Sequence, residues 1–379
     1  MGESYLPFNR PWLAPRSLDH ARQAFAQHHT SGNGPFGRQC ERWLARRLKA
    51  PRVLLTTSCT HALEMAALLL DLEPGDEVLM PSFTFVSTAN AFALRGARPV
   101  FVDIRADTLN IDENRIEAAI TRRTRAIVVV HYGGVGCEMD AILRIARRRR
   151  LPVIEDNAHG LFGAYRGRPL GTWGDYATLS FHETKNISCG EGGALVVNRK
   201  ASIGRAEVIR EKGTDRSRFL RGEVDKYTWQ SLGSSYVLSD TLAAILYGQL
   251  EDSAEIQRRR QSLWATYDRA LRSWAGRNSV LQPTVPAHCR SSHHLYHLIL
   301  PNQRARDGFI RHLARQSINA VFHYVPLHLS PMGRKFGGKR GACPVAESRS
   351  AALVRLPFHA GMSGPDQERV IEAIEKFRP

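Results

Sequence analysis

Cysteine is scarce: six residues among 379 are too few and too scattered to build a disulfide scaffold. None of them stands in a C-x-x-C pair, so we expect no zinc ribbon, no thioredoxin-like redox site and no other metal centre. No apolar run approaches the ~18 residues that a membrane-spanning helix needs. Residues 1–15 also lack the apolar segment of a signal peptide. These absences predict a cytoplasmic protein with reduced thiols and no membrane partner.

Acidic residues are few beside basic ones: 36 Asp and Glu stand against 53 Lys and Arg, a net charge of +17. Such an excess raises the possibility of nucleic-acid binding. No helix-turn-helix or RNA-binding motif accompanies it, and the densest basic run, Arg147–Arg150, suits a solvated helix end. A hydrophobic content of 43% excludes a disordered chain. We therefore expect a globular protein without a nucleic-acid partner.

The first two-thirds of the chain alternates short apolar runs with helical patterns. Predicted strands cover 52–56, 77–82, 98–104, 124–134 and 151–156, and predicted helices cover 57–71, 82–96, 112–120 and 139–150. Apolar strands separated by helices indicate an α/β fold with a mostly parallel central sheet. Ligands on such a sheet bind beyond the carboxyl ends of the strands.

The pattern changes near residue 237. We expect one long helix or a broken pair over 236–275, strands at 295–300 and 319–325, and helices over 304–315 and 364–376. The sequence thus predicts a large domain over residues 1–250 and a smaller α+β domain over residues 251–379.

Four features at predicted strand ends complement one another. Asp156 ends a strand, and Lys185 follows another strand, just before the run Gly190–Gly193. The segment TSCTHAL starts a helix with hydroxyls and unpaired backbone N–H groups, which is an anion site. Phe85 adds a flat ring nearby. A lysine, a carboxylate, a phosphate site and a ring are what pyridoxal 5′-phosphate (PLP) requires.

The ordered motifs GPFGRQCE, TSCTHAL, PSFTFVSTANA, VIEDNAHG, SFHETKNISCGEGGA and FHYVPLH resemble the DegT/DnrJ/EryC1/StrS sugar aminotransferases. The resemblance implies the aspartate-aminotransferase fold (PLP fold type I) and extends from about residue 9 to the last predicted helix. The segments SFHETKN, EKGTDRSRF and KYTWQSLGSSY look most like those of the dTDP-4-amino-4,6-dideoxygalactose transaminase branch. It implies amination of dTDP-4-keto-6-deoxyglucose by glutamate, with PLP passing through pyridoxamine phosphate.

The same resemblance assigns cofactor roles to individual residues. Lys185 would bond covalently to PLP and then serve as base and acid of a 1,3-proton shift, and Asp156 would pair with the pyridinium nitrogen. The other predicted cofactor contacts are Phe85 on the ring, His159 by the 3-oxygen, and Ser180, Thr60 and the backbone of His61 at the phosphate. Ser235 stands where many relatives have an Asn that reaches the phosphate of the partner subunit.

Further residues are implied for the sugar nucleotide: His323, Tyr324, His328, and, from a neighbouring subunit, Lys226 and Tyr227. The resemblance therefore implies a homodimer with shared active sites. Transamination at C3, or a gluco-configured C4 product, remains an alternative within the family. Relatives that dehydrate sugars carry His in place of the reactive lysine, so Lys185 argues against that branch. A non-catalytic nucleic-acid-binding or regulatory protein is a distant alternative, supported by the charge alone.

Overall fold

The structure, a computed structural model, describes residues 5–379. The helices are α1 Pro15–Ala26, α2 Pro35–Leu48, α3 Cys59–Leu69, α4 Val86–Ala93, α5 Glu113–Ala119, α6 Met139–Arg149, α7 Ile203–Arg210, α8 Arg216–Leu220, α9 Asp240–Glu251, α10 Ser253–Arg277, α11 Gln303–Ala314, α12 Pro331–Lys335, α13 Pro344–Ala352 and α14 Gly364–Glu375. The strands are β1 Arg52–Thr56, β2 Glu77–Pro81, β3 Arg98–Val102, β4 Thr124–Val130, β5 Val153–Asp156, β6 Ala164–Tyr165, β7 Arg168–Pro169, β8 Tyr176–Ser180, β9 Gly193–Val197, β10 Cys289–Arg290, β11 His297–Ile299 and β12 Leu353–Arg355.

Seven strands form the central sheet in the order β1-β9-β8-β5-β4-β2-β3. Strands β3, β2, β4, β5 and β8 pair in parallel, whereas β9 runs antiparallel between β8 and β1. The predicted α/β fold with a mostly parallel sheet is confirmed. Six strands consequently end at one edge, and only β9 begins there.

Helices cover both faces of this sheet because its strands are apolar on both sides. Leu54 of β1 packs with α3 and α7 on one face. Its neighbours Val53 and Leu55 pack with α2 and α9 on the other face, as the two-residue period of a strand requires. Helices α5 and α6 extend the second face beside β4. The sheet edge is thereby left as the place for polar side chains.

The last third of the chain surrounds another apolar core. Helices α10, α11 and α14 pack there with β11, β12 and Leu6. Helices α9 and α10 form the broken pair, divided at Asp252. The strand predicted at 319–325 is wrong: Val321 makes a single bridge to Arg355, and the flanking residues run as an extended arm. Over residues 5–379, no helix combines the length and apolarity needed to cross a bilayer.

Candidate active site

Asp156 is the last residue of β5 and lies buried at the ligand-binding edge of the sheet. Its Oδ2 atom accepts a hydrogen bond from the Thr88 hydroxyl at 2.7 Å, and its Oδ1 atom accepts one from the Ala158 amide at 3.2 Å. Thr84 supports Thr88 through a hydroxyl–hydroxyl contact of 2.8 Å. These hydrogen bonds fix the orientation of the carboxylate and leave lone pairs free for a cationic ligand.

Lys185 lies in the turn between β8 and β9, on the same edge. Its amide donates to the carbonyl of His182 at 2.9 Å, and the Glu183 amide donates to the carbonyl of Gly190 at 2.9 Å. Next to the lysine, the Asn186 side chain donates to the Ser292 carbonyl at 2.8 Å. Two of these bonds hold the lysine turn together, and the third fixes it to the segment that precedes β11.

Burial lowers the pKa of the Lys185 amine below its ordinary value because a charged amine is poorly solvated in the cleft. Arg355 contributes to this decrease, whereas the nearby Cys59 and Asp156 act in the opposite direction. A lysine with a lowered pKa is neutral more often, so it can act as a nucleophile and as a base.

The start of α3 provides the anion site. Ser58 is the N-cap, and its hydroxyl accepts a hydrogen bond from the His61 amide at 3.1 Å. The amides of Cys59 and Thr60 precede the His61 amide in the first turn of α3, where backbone amides have no acceptor within the helix. The predicted phosphate contact from the His61 amide therefore competes with the hydrogen bond that this amide donates to Ser58. The Thr60 hydroxyl lies 2.8 Å from that of Ser87.

Glycines let the lysine turn pass close to this helix start. Gly190 adopts φ +88°, a left-handed conformation that other residues rarely take. A Cβ atom on Gly193 would lie 2.4 Å from the Cys59 amide nitrogen. Gly193 is paired with Ser180 across the β8–β9 ladder, so Ser180 sits at the same level as the α3 N-terminus.

Aromatic and histidine side chains lie beyond this sheet edge and, together with Asp156, Lys185 and the start of α3, form what we call the cleft. His159 is buried, and its ring stacks on that of His294 with a centroid distance of 4.2 Å. Burial lowers the pKa of His159 well below its ordinary value, so its ring is neutral. Tyr324 lies between the rings of His323 and Phe85, at 3.4 and 6.2 Å. Phe85 itself is 57% exposed at the start of α4.

Several predicted residues are not brought to this cleft. His328 is fully buried, with one ring nitrogen 2.5 Å from Ser82 Oγ and the other 2.9 Å from a Glu347 carboxylate oxygen. Both polar atoms of its ring are therefore engaged inside the fold, which corrects the expected contact of this side chain with substrate. Lys226, Tyr227 and Ser235 are exposed on the 211–235 segment, where the Tyr227 ring packs on Phe219 at 5.7 Å.

The cleft also contains four residues that no sequence motif indicated: Arg355, Tyr132, His294 and His297. The Tyr132 hydroxyl lies 2.9 Å from a ring nitrogen of His323, and Arg355 is electrostatically coupled to Lys185. His297 is buried, and neither of its ring nitrogens has a hydrogen-bond partner. His297 and Arg355 did carry one signal in the sequence. Each is a polar residue in a short strand whose other residues on the same face are apolar.

The chemistry of these groups fits PLP. A buried carboxylate with lone pairs to spare suits a protonated pyridine nitrogen, and first-turn amides beside Thr60 suit a phosphate. The Lys185 amine, whose pKa is lowered, suits nucleophilic attack on the aldehyde carbon of PLP.

Comparisons with known proteins identify the family of the chain. The family model described as the DegT/DnrJ/EryC1/StrS aminotransferase family matches residues 15–375. The spore coat polysaccharide biosynthesis protein SpsC of Bacillus subtilis is 34% identical, over 98% of this chain and 96% of SpsC. The aminotransferase TlmJ of Streptoalloteichus hindustanus is 32% identical with a TM-score of 0.89, over 98% of each chain. A candidate sugar aminotransferase of Streptococcus pneumoniae, Spr1654 in its pyridoxamine phosphate form, is 25% identical with a TM-score of 0.91, over 98% of this chain and 97% of that one.

A match of this extent covers both the sheet that carries Asp156 and the C-terminal core. The chain therefore belongs to the DegT/DnrJ/EryC1/StrS aminotransferase family, and it is a PLP-dependent enzyme.

Proposed function

We propose that the protein transfers an amino group from L-glutamate to dTDP-4-keto-6-deoxy-D-glucose, giving dTDP-4-amino-4,6-dideoxy-D-galactose and 2-oxoglutarate. The observation that carries the amino transfer is Lys185, whose pKa is lowered by burial and which is electrostatically coupled to Asp156. The choice of sugar rests on the motifs at 180–186, 211–219 and 226–236.

Two residues carry the proposed proton chemistry. PLP, when bound, supplies an electron sink that stabilises negative charge at the donor α-carbon. Asp156 holds the proton on the ring nitrogen, and Thr88 holds that carboxylate in position through its hydrogen bond. The neutral Lys185 amine accepts the α-proton and later returns a proton. One base serves both half-reactions, so donor and keto-sugar occupy the same cleft in turn.

The remaining contacts divide between cofactor and sugar. Thr60 and Ser180, with the first-turn amides of α3, hold the phosphate in this proposal. Phe85 covers the ring and His159 lies by the 3-oxygen, where its neutral ring can accept a hydrogen bond. His323 and Tyr324 face the sugar from the opposite wall of the cleft.

We further propose a homodimer with shared sites. The 211–235 segment exposes large apolar side chains, among them Trp229 at 77%, Leu232 at 61% and Tyr227 at 50%. Exposed apolar groups concentrated on one segment favour burial against another chain. On this proposal Ser235, Lys226 and Tyr227 serve the partner subunit's site, with Ser235 at its phosphate.

The alternatives are a C3 transaminase and a C4 transaminase that gives the gluco amine. Both use the same lysine and cofactor, and they differ in which carbon faces Lys185 and from which side the proton arrives. SpsC is named for polysaccharide biosynthesis, which supports a role for the amino sugar in a surface polysaccharide made from cytoplasmic precursors.

The decisive experiment incubates the purified holoenzyme with dTDP-4-keto-6-deoxyglucose and L-glutamate and records NMR spectra of the product. A small H3–H4 coupling identifies the axial, galacto amine, whereas a large coupling identifies the gluco amine and rejects our stereochemistry. Borohydride should attach PLP to Lys185, and Lys185→Ala should form no product. A protein that cannot be reconstituted with PLP would refute the proposal.

A further inference from the structure

One buried serine between β10 and β11 joins three loops at the ligand-binding edge of the sheet. The Ser292 amide donates to the Gly134 carbonyl at 3.1 Å, after β4, and its hydroxyl donates to the His159 carbonyl, after β5. Its own carbonyl accepts a hydrogen bond from the Asn186 side chain at 2.8 Å, in the turn between β8 and β9. Strands β4, β5 and β8 are neighbours in the sheet, so this residue fixes the loops that follow them relative to one another.

Asn186 is bonded through both ends of its side-chain amide. The Ser292 carbonyl can only accept, which assigns Nδ2 of Asn186 to that contact. The Oδ1 atom then accepts from Nδ1 of His294, at 2.9 Å, so this ring nitrogen carries the proton. Burial lowers the pKa of His294 well below its ordinary value, so the ring is neutral and Asn186 selects its tautomer.

The bond between Asn186 and His294 extends to the ring of His159 through a stack. The two imidazole rings lie with their centroids 4.2 Å apart and their planes at 24°. The Gly133 amide donates to Nδ1 of His159 at 3.3 Å, so the second ring is also fixed. A continuous set of buried contacts therefore runs from the residue after Lys185 to the imidazole expected at the cofactor.

The lysine turn has few other attachments to the rest of the fold. Its backbone hydrogen bonds close the turn on itself. Among residues 5–379, the hydrogen bonds that reach residues 182–190 from other segments come from Asn9, at 3.2 Å to the Glu183 carbonyl, and from the partners of Asn186. A lysine side chain is a flexible four-carbon stem, so the place of its amine depends on how firmly the backbone beneath it is held.

We propose that Asn186 is a positioning residue for Lys185: its two hydrogen bonds hold the lysine turn in a fixed place relative to His159. This inference rests on the proposed function, in which Lys185 moves the proton in both half-reactions. Such a transfer is sensitive to distance, because a misplacement of about 1 Å can cost ~100-fold in rate. Asn186 acts through the backbone of the turn rather than on the reacting atoms.

The test compares Asn186→Ala with the wild-type holoenzyme in each half-reaction. Conversion of PLP to pyridoxamine phosphate by L-glutamate is followed by absorbance, and the reverse conversion is followed with dTDP-4-keto-6-deoxyglucose. We expect the maximal rates of both half-reactions to fall about 10- to 100-fold, by the same factor, with unchanged half-saturating concentrations. The primary isotope effect of α-deuterated glutamate should rise, because proton transfer becomes slower relative to the other steps.

His294→Phe isolates the bond to the imidazole. Phenylalanine can keep the stack on His159 but has no proton to donate to Asn186. This variant should therefore lose part of the same rate, and the double variant should be no slower than Asn186→Ala. Titration of the apoenzyme with PLP gives a readout apart from turnover. The PLP dissociation constant should rise about 10-fold in Asn186→Ala, because covalent attachment needs the amine in the same place.

Asn198→Ala is the matched control. Asn198 follows the end of β9, at the sheet edge opposite Asp156. Its side chain donates to the carbonyls of Gly171 and Gly174, at 3.2 and 2.9 Å. This variant also loses two side-chain hydrogen bonds, so its stability should fall as in Asn186→Ala, whereas its rates, isotope effect and PLP affinity should stay normal.

Raised half-saturating concentrations at normal rates would make Asn186 part of a binding surface and overturn the inference. A loss confined to one half-reaction would also overturn it, because a positioned base acts in both. So would an equal loss in Asn198→Ala, which would show a general loosening of the fold. If the wild type reacts with glutamate but not with the keto-sugar, the proposed substrate fails, whereas the glutamate half-reaction and the PLP titration still decide the role of Asn186.

Discussion

At the scale of single residues, the position of the Asp156 carboxylate relies on the Thr88 hydroxyl. Thr88 donates to Asp156 at 2.7 Å inside the fold, and valine has nearly the same shape without the donor. Thr88→Val should therefore weaken the contact of Asp156 with the pyridine nitrogen, because the carboxylate loses a hydrogen bond that holds it in place. We expect kcat for amino transfer to fall about 10-fold, which corresponds to ~1.4 kcal/mol.

Thr84→Val is the graded control for this prediction. Thr84 contacts Thr88 rather than the carboxylate, so its loss should lower kcat much less. Equal effects of the two substitutions would show that packing, and not the bond to Asp156, is what matters there.

At the scale of elements, the contact between β9 and the start of α3 sets the anion site. A Cβ atom on Gly193 would meet the Ser58 carbonyl oxygen at 2.5 Å and the Cys59 amide nitrogen at 2.4 Å. Neither backbone atom can move without displacing the helix start. Gly193→Ala should therefore weaken PLP affinity at least 10-fold, measured by titrating the apoenzyme, and lower stability by about 1–3 kcal/mol.

Gly204 offers a matched control, because it lies in α7 with no atom within 4 Å of an added Cβ. Gly204→Ala should stabilise the protein by about 0.5–1 kcal/mol without changing PLP affinity. A Gly193→Ala protein that binds PLP normally would contradict the close approach seen in the structure.

The elements also show where sequence reasoning succeeds and stops. Strands β1 to β5 were predictable because each is an apolar run bounded by turn residues, and the polar residues at their ends mark one edge. The reversal of β9 was not predictable, since an apolar run reads the same in either direction. The 319–325 arm alternates like a strand, yet β12 pairs with it only at Val321.

The candidate site also contains residues that the sequence predicts and residues that it does not. Asp156 and Lys185 stand beside recognisable strand ends, so their order along the chain locates them. His328 belongs to the same motif as Tyr324, and no local pattern shows that its ring turns inward to Ser82 and Glu347. Arg355 reaches the cleft only because β12 pairs with β11, and pairing across 50 or so residues leaves no periodic trace in one sequence.

For the molecule as a whole, the net charge of +17 is not concentrated at the proposed active site. A cavity of about 620 Å³ is lined by Arg122, Arg125, Arg149 and Arg150. It lies where β4 and β5 begin, at the sheet edge opposite Asp156. The run at 147–150 ends α6, where Arg148 and Arg149 pair with Glu117. That run is the solvated helix end predicted from the sequence, so most of this charge does not serve the diphosphate of the sugar.

The histidines of the interior impose a pH dependence on the whole fold. Burial lowers the pKa of His297 to about 3 and those of His293 and His359 to about 4, against roughly 6.5 in an unfolded chain. Below about pH 6.5 the unfolded chain therefore binds more protons than the folded one, so stability present at neutral pH is lost as the pH falls towards 4. Each such histidine steepens the loss by up to ~1.4 kcal/mol per pH unit.

Urea unfolding of the holoenzyme at pH 7, 6 and 5 measures this effect as a decrease in the transition midpoint. His297→Asn removes one buried titrating group whose ring nitrogens have no partner, so the decrease between pH 6 and pH 5 should become smaller. His28→Asn is the control, because His28 is exposed and its φ of 52° is one that asparagine tolerates. If both variants lose stability with pH as steeply as the wild type, proton uptake by buried His297 is not part of the acid transition.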